Sequence, residues 1–597
     1  MSKTTEDIWR AAESGNVDRL STLIAAKADV DAKNWYSDSP LICAAKSGQI
    51  GTAQLLVDAK ANLDFQNRYG YAALHATATR NINLAQMLIT AKASLDVKRD
   101  KKFTPLHDAA VNCRPDMMRI MVEAKASFDC GVDRNDSLLL SSTVCGDIPA
   151  IRTLLDSKAN VNARDCCINV TSLHLAALCG QDDVLQLLID AKADLEVIGP
   201  RDEVPLHNAA RQSHAGALQM LIDAKANVDI KNRYNDTPMK FAAESGNPAA
   251  VQVLVDAKAD VDVKDRNSYT PLHSAVRYGH IGAVQVLING NAAVDTRNQF
   301  DSTPFMLAAQ YDHPDIMLLL LDAQAAVEST GADGVAALFM AVASESSGAV
   351  KVLIDCKADL NVMNDDNMTP LHKGAEEGST ESVQLLVDAK ANIDIKRPDG
   401  ITPLHMAAND GWNEVVHVLI NAKATVDVKD EYGWTPLHIA AQSGLSETTQ
   451  VLVDSKASVD VNNSNGDTPL QVAARNGDSG TVHVLIDAKA AIDCKNIHGH
   501  TPLHIAAENS HSDIVRTLVD LKVAVDVKDN NGDTPLQLAA RKGHSDTVQV
   551  LLDLKADIDH KNNNGQTALH MAAENGHSDT VQVLSAAVAR VMHDHQV

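Results

Sequence analysis

Aromatic side chains are scarce in this 597-residue chain: 4 Trp, 8 Tyr and 7 Phe make up only 3% of it. Any sizeable core must therefore be built from Leu, Val, Ile and Ala, which suits thin, closely packed helices. No run of the roughly 18 apolar residues that could span a bilayer is present. The opening residues, MSKTTEDIWR, lack the apolar stretch of a secretory leader. The nine cysteines are Cys43, Cys113, Cys130, Cys145, Cys166, Cys167, Cys179, Cys356 and Cys494. They form no Cys-x-x-Cys pair, so reduced thiols in a cytoplasmic or nuclear protein are expected rather than disulfides or a zinc knuckle. Positive charge is in deficit, with 53 Lys and Arg against 78 Asp and Glu, a net charge of −25. Such a surface repels phosphate backbones and excludes nucleic acid as a general partner. There is no phosphate-binding loop, no G-x-S-x-G and no H-E-x-x-H. His593-Asp594-His595 offers no closed set of metal ligands. No catalytic, cofactor-binding or metal residue is assigned, and the chain is read as a monomer without membrane insertion.

What the chain does have is a period of 33 residues. Tetrads similar to Thr-Pro-Leu-His start at Thr104, Thr270, Thr369, Thr402, Thr435, Thr468, Thr501 and Thr534. Weaker copies start at Ser39, Ala72, Ser137, Thr171, Val204, Thr237, Thr303, Ala336 and Thr567, and a degenerate first copy ends in Ala11-Ala12-Glu13-Ser14-Gly15. Together they make 18 units. A fixed period of this length signals a solenoid, each unit stacking on its neighbours. The expectation is one array over residues 1–597, with irregular repeats 1–6 in 1–200, repeats 7–11 in 201–364, and regular repeats 12–18 plus a C-terminal cap in 365–597. Spacing falls to 32 between Ala72 and Thr104 and rises to 34 between Ser137 and Thr171. The fifth unit, at Ser137, loses Pro, His and the Ala pair. In a nearest-neighbour solenoid such units are candidate weak joints.

The stretch from Asp430 to Asp460 shows what one unit does. Tyr432-Gly433 signals a turn. Thr435 can cap a helix, and Pro436 suits its first position because no donor is needed there. Leu437, Ile439, Ala440 and Ala441 build a short helix with small residues where another helix approaches, and Gly444 stops it. Ser446 is placed to cap a second helix that faces the core with Val451 and Leu452 and ends at Lys456-Ala457. Val459-Asp460-Val461 is read as extended. Such a unit cannot bury its apolar face alone, so it must stack.

On these residues each unit resembles an ankyrin repeat, whose pattern is roughly D-x-x-G-x-T-P-L-H-x-A-A-x-x-G followed by a V-x-x-L-L helix. The stretch from Asp529 to Gly543 follows it with only Gln537 departing. The resemblance covers essentially the whole chain. It implies an all-α solenoid of helix-turn-helix repeats with projecting hairpin-like fingers, and a concave surface of fingers and first helices that binds other proteins. It also implies that the tetrad His ties neighbouring fingers together. The function implied is that of a non-catalytic protein–protein scaffold or adaptor, the alternative being a recruitment subunit or effector that brings an enzyme such as a ubiquitin ligase or kinase to its target.

Two features exceed what the repeat requires. Lys stands in 15 units where the family pattern has Gly at the end of the second helix, from Lys27 and Lys60 to Lys522 and Lys555. A left-handed backbone there costs a non-Gly residue about 1 kcal/mol or more. Either something offsets that cost or the backbone is not left-handed. The row is read as helix capping, locally neutralised by Asp residues such as Asp58 and Asp388, rather than as a ladder for an acidic partner. The second feature is the placing of aromatics. Trp35, Tyr36, Tyr69, Tyr71, Phe103, Tyr234, Tyr269, Phe300, Tyr432 and Trp434 all precede a tetrad, mostly by three residues or one. On an extended finger, positions two apart share a side. Exposed Trp and Tyr are the usual anchors of interfaces, so these ten are the candidate partner-binding residues.

Overall fold

The computed structural model describes residues 3–78, 81–99, 103–112, 114–126, 134–165 and 168–594. Cys113, Cys130, Cys166, Cys167 and His595 lie outside the described residues. Those residues contain 36 α-helices and two short 3-10 turns, and the only β-pairing among them is two isolated bridges, Arg99 with Phe103 and Thr330 with Ala336. The fold is an all-α helical-repeat solenoid. Contacts divide it into two compact units, Met1–Gln299 and Phe300–Val597. The first unit holds the helix pairs from Lys3–Glu13 to Ile281–Asn289 and the second those from Pro304–Gln310 to Ser578–Asp594. Within each unit most successive first helices pack side by side, and so do most successive second helices; at the fourth repeat the second helix Pro115–Glu123 instead packs on the fifth repeat's first helix Arg134–Cys145. No described helix is long and apolar enough to cross a membrane.

The repeat containing Pro436 shows why these residues fold this way. Its first helix is Pro436–Gln442 and its second is Ser446–Asp454. Thr435 accepts the His438 N–H at 3.4 Å as a helix cap, with Pro436 at the first position. Leu437, Ala440, Ala441 and Leu452 are completely buried. The Ala pair lets neighbouring helices approach closely, and within its unit each repeat supplies one such layer of the core. Gly444, at φ 67°, reverses the chain between the helices.

Two expectations for this repeat need correction. The residue capping the second helix is Leu445, without a side-chain cap bond, and Ser446 is already helical. The Val459–Asp460 segment is a turn rather than an extended strand. The Asp is not spare there: Asp460 accepts the backbone N–H of Ala491 in the following repeat at 2.8 Å. Asp427 does the same for Ser458, Asp394 for Thr425 and Asp526 for Asp557. A short acceptor side chain at a fixed period thus satisfies a backbone donor one repeat away, which an extended segment would not do.

The lysine row is left-handed. All fifteen residues have positive φ, from 58° at Lys27 to 75° at Lys125. At Lys456 the motif is complete: its N–H reaches the Val453 carbonyl at 2.9 Å, and the next N–H, of Ala457, reaches Leu452 at 3.0 Å. These bonds satisfy helix-end carbonyls and offset the strain. The expected neutralisation by Asp58 and Asp388 is not what those residues do. They accept from Gln54 and Gln384, one turn earlier in the same helix. Among the described residues none of the fifteen lysines forms an ion pair. Replacing Lys423, Lys456, Lys489 and Lys555 together by Gly is therefore expected to stabilise the chain. The strain removed, about 1 kcal/mol or more per site, exceeds the added unfolded-state entropy, about 0.4–1 kcal/mol. A raised urea midpoint is the expected readout; a lowered one would mean that the lysines contribute more than their strain costs.

The irregular region departs from this frame. The third repeat's first helix is only Ala73–Thr77, and the fifth repeat's is the 12-residue Arg134–Cys145. The tetrad histidine of the fourth repeat, His107, bonds Asp165 at 3.1 Å, 58 residues away. Amide hydrogen exchange is expected to be faster in repeats 3–5 than in repeats 12–17, because local stability follows the number of satisfied nearest-neighbour layers. Uniform protection along the chain would remove the weak-joint account.

Candidate protein-binding surface

Most fingers carry an Asn or Asp five residues before the tetrad, and a tight turn is built on it. Asp430 accepts the N–H groups of Tyr432 and Trp434 at 2.9 and 2.7 Å, and its own N–H donates to the Trp434 carbonyl. Asn34, Asn67, Asn232 and Asp265 repeat the pattern. This local acceptor competes with extended structure and closes the turn. Many neighbouring tips in repeats 7–18 are joined by one backbone bond, as from Ser464 N–H to the Tyr432 carbonyl at 2.9 Å.

The tetrad histidine locks the finger to its successor. In the repeat at Thr435, the backbone N–H of Thr435 donates to His438 Nδ1 at 3.2 Å. Nε2 therefore carries the proton, and it faces the Asp467 carbonyl of the next finger at 3.0 Å. His372, His405 and His504 reach the following finger in the same way, at 3.1–3.2 Å. Gln471 and Gln537 make both bonds with an amide: each accepts the Thr N–H at 2.8 Å and donates to the next finger at 2.7 or 2.8 Å. Burial holds His174, His207, His372, His438 and His504 well below the usual range, at about 4.

The ten candidate aromatics divide into two sets. Trp35, Tyr36, Tyr69, Tyr234, Phe300 and Tyr432 are exposed, at 42–62% of their full surface. Tyr71, Phe103, Tyr269 and Trp434 are half-buried. Each of the four lies against its own tetrad histidine, with ring centroids 5.6–6.3 Å apart. The expectation that positions three and one before the tetrad share a side is thus wrong. The intervening residue is left-handed, as at Gly70, Asn235, Asp301 and Gly433, so strand alternation does not apply. The position three before the tetrad is a tip; the position one before it is a base that packs.

Some tips are already ordered. The Arg68 guanidinium lies 5.3 Å from the Tyr36 ring centroid and 4.7 Å from that of Tyr69, and Arg266 lies 5.2 Å from that of Tyr234. Such stacking restrains long side chains before a partner arrives. Two periodic devices escaped the sequence reading. Lys264, Lys396, Lys429 and Lys495, six residues before their tetrads, donate to a carbonyl in the next repeat. His214, His280, His511, His544 and His577 bond a carbonyl 36 residues back, and Trp412 does so with its indole N–H. Both were legible as 33-residue periodicities outside the tetrad.

One constellation has the atoms of a nucleophilic relay. The Thr104 hydroxyl is 2.6 Å from His107 Nδ1, and Nε2 is 3.1 Å from Asp165 Oδ2. The histidine and carboxylate side chains are fully buried and Thr104 is 3% exposed. Buried in this way, the three side chains clasp the Thr104 helix to the Asp165 turn. No group of three or more potential metal ligands occurs among the described residues. Cys43, Cys145, Cys179, Cys356 and Cys494 are free thiols, and burial pushes Cys43 and Cys179 up to about 12.

The model of the family described as ankyrin repeats (3 copies) matches residues 8–99, 53–136, 173–265, 257–331, 305–399, 375–463, 445–529 and 521–593. The unmatched stretch 137–172 begins at the fifth repeat, whose tetrad is lost. No curated protein matches the chain.

Proposed function

Because the chain belongs to the ankyrin-repeat family, we propose that it is a non-catalytic scaffold or adaptor that binds other proteins on its fingers and first helices. Ankyrin repeats are in general protein–protein interaction modules. The observation that carries the finer reading is the division of the aromatics: six stand exposed at finger tips, and at Tyr234, Phe300 and Tyr432 the tip backbone is hydrogen-bonded on both sides. Folding gains little from leaving Trp35 or Tyr432 in water, whereas a partner gains a rigid aromatic anchor with small ordering cost. The chain acts as a monomer in the cytoplasm or nucleus, a placement supported by the five unpaired thiols among the described residues. Its acidic surface favours protein over nucleic acid.

Affinity capture from a cell lysate tests this, using as bait the full chain and a variant with Trp35, Tyr36, Tyr69, Tyr234, Phe300 and Tyr432 changed to Ala. Partners held by the wild type are expected to fall at least tenfold on the variant. Equal recovery of every partner on both baits would remove the tips from the binding surface.

A further inference from the structure

A hollow of about 780 Å³ lies along the first helices of the repeats at Thr369, Thr402 and Thr435, within the second unit. Its lining combines Glu376, Glu377 and Asp410 with Met406 and Trp412. Lys373 also faces it, paired with Glu376 at 2.7 Å and Glu377 at 2.6 Å. One cation against three carboxylates leaves the hollow negative. That is a local feature: the place Glu376 takes is Arg in four repeats and Glu in others, but the next place is acidic only at Glu377 and Asp410.

Trp412 makes the hollow more than an acidic cluster. The equivalent position in the repeats at Thr501, Thr534 and Thr567 is His511, His544 and His577. The indole keeps their structural bond, donating to the Glu376 carbonyl at 2.8 Å. One ring face lies against Gly378, where an added Cβ would come within 2.5 Å of it. Trp412 nevertheless remains 40% exposed and lines the hollow. A clamped indole beside carboxylates is a receptor for a flat cation: stacking on an aromatic face and charge-assisted hydrogen bonds act together. Guanidinium fits better than ammonium, because its planar fork of donors satisfies two carboxylates while its face stacks.

We propose that this hollow receives an arginine side chain from a basic segment of a partner protein. The proposal rests on the reading of the chain as a protein-binding array and adds the partner's chemistry and a place of contact separate from the finger tips.

The test is a titration of the full chain with the peptide Gly-Ser-Arg-Gly-Arg-Ser-Gly, blocked at both ends, and with its counterpart carrying Gln for both Arg. Trp412→His should retain the bond to the Glu376 carbonyl, as His511 does to Arg475 at 3.0 Å. This variant and the Glu377→Gln/Asp410→Asn double variant are each expected to bind the arginine peptide at least tenfold more weakly than wild type, with unchanged thermal midpoints. Asp513→Asn/Asp546→Asn removes the same charge elsewhere and should change affinity less than twofold. The Gln peptide should not bind. The proposal is overturned if the wild type does not bind the arginine peptide, or if the distant double variant weakens binding as much as the one in the hollow, which would mark general attraction to an acidic chain. The six-tip Ala variant separates the two readings. It should bind the peptide normally, and if it loses captured partners while the wild type ignores the peptide, only the hollow fails.

Discussion

Between pH 6.5 and pH 4 the chain is expected to lose most of its stability, and substituting Gln for the tetrad histidines should restore much of it. In the unfolded chain a histidine titrates near 6.5, and in the folded chain five of them are held at about 4. Their folded pKa is lowered, so between those values the unfolded state binds the protons. Stability is full above about pH 6.5 and falls as the pH drops toward 4. Each shift corresponds to about 3 kcal/mol, and the side chains are buried, so solvent screens little of it. The summed loss is on the order of a whole domain's stability. The structural cause is specific: Nδ1 already accepts a backbone N–H and Nε2 already donates to the next finger, so a second ring proton points at a donor. Gln471 and Gln537 show that an amide makes both bonds without titrating. Urea midpoints of the wild type and of a His372→Gln/His438→Gln/His504→Gln variant at pH 7.5, 6, 5 and 4.5 measure the effect. The variant's decline should be the shallower, and parallel declines would show that other groups set the acid lability.

Trp434→Ala and Tyr432→Ala should have opposite consequences although the residues are two apart. Trp434 is half-buried with its ring 5.8 Å from that of His438, and its carbonyl receives His405. Its truncation removes packing on the finger lock and is expected to cost about 2–4 kcal/mol. Tyr432 is 62% exposed and its backbone carries the ladder to Ser464. Its truncation should cost less than about 0.5 kcal/mol while weakening a partner that uses this tip by tenfold or more. Denaturation midpoints and partner affinity, measured on both variants, check the division. A destabilised Tyr432→Ala chain would place that side chain in the framework.

The repeat was legible in the sequence because its parts are local. Thr435, Pro436 and Gly444 fix helix ends, and Ala440-Ala441 fixes the close face, all within one period. What escaped were relations set by backbone handedness and by the next repeat. The residue between tip and base adopts positive φ even where it is Ser, Asn or Asp, so the strand rule put Tyr432 and Trp434 on one side when they occupy different environments. The part played by Asp460 was not visible within one period because the donor it accepts lies in the following repeat, at Ala491. Trp412 stood outside the fingers and matched no aromatic pattern, since its likeness is to the histidines at the same place in other repeats. The lysine row posed a question that φ alone could answer.

The central claim is that partners contact the tips and the first-helix face while the second helices serve the stack. Amide hydrogen exchange of the full chain, free and bound to a captured partner, tests it most directly. Added protection is predicted at finger tips such as Glu431–Gly433 and along first helices such as Pro403–Asp410. Protection confined to second helices such as Ser446–Asp454 would contradict the account.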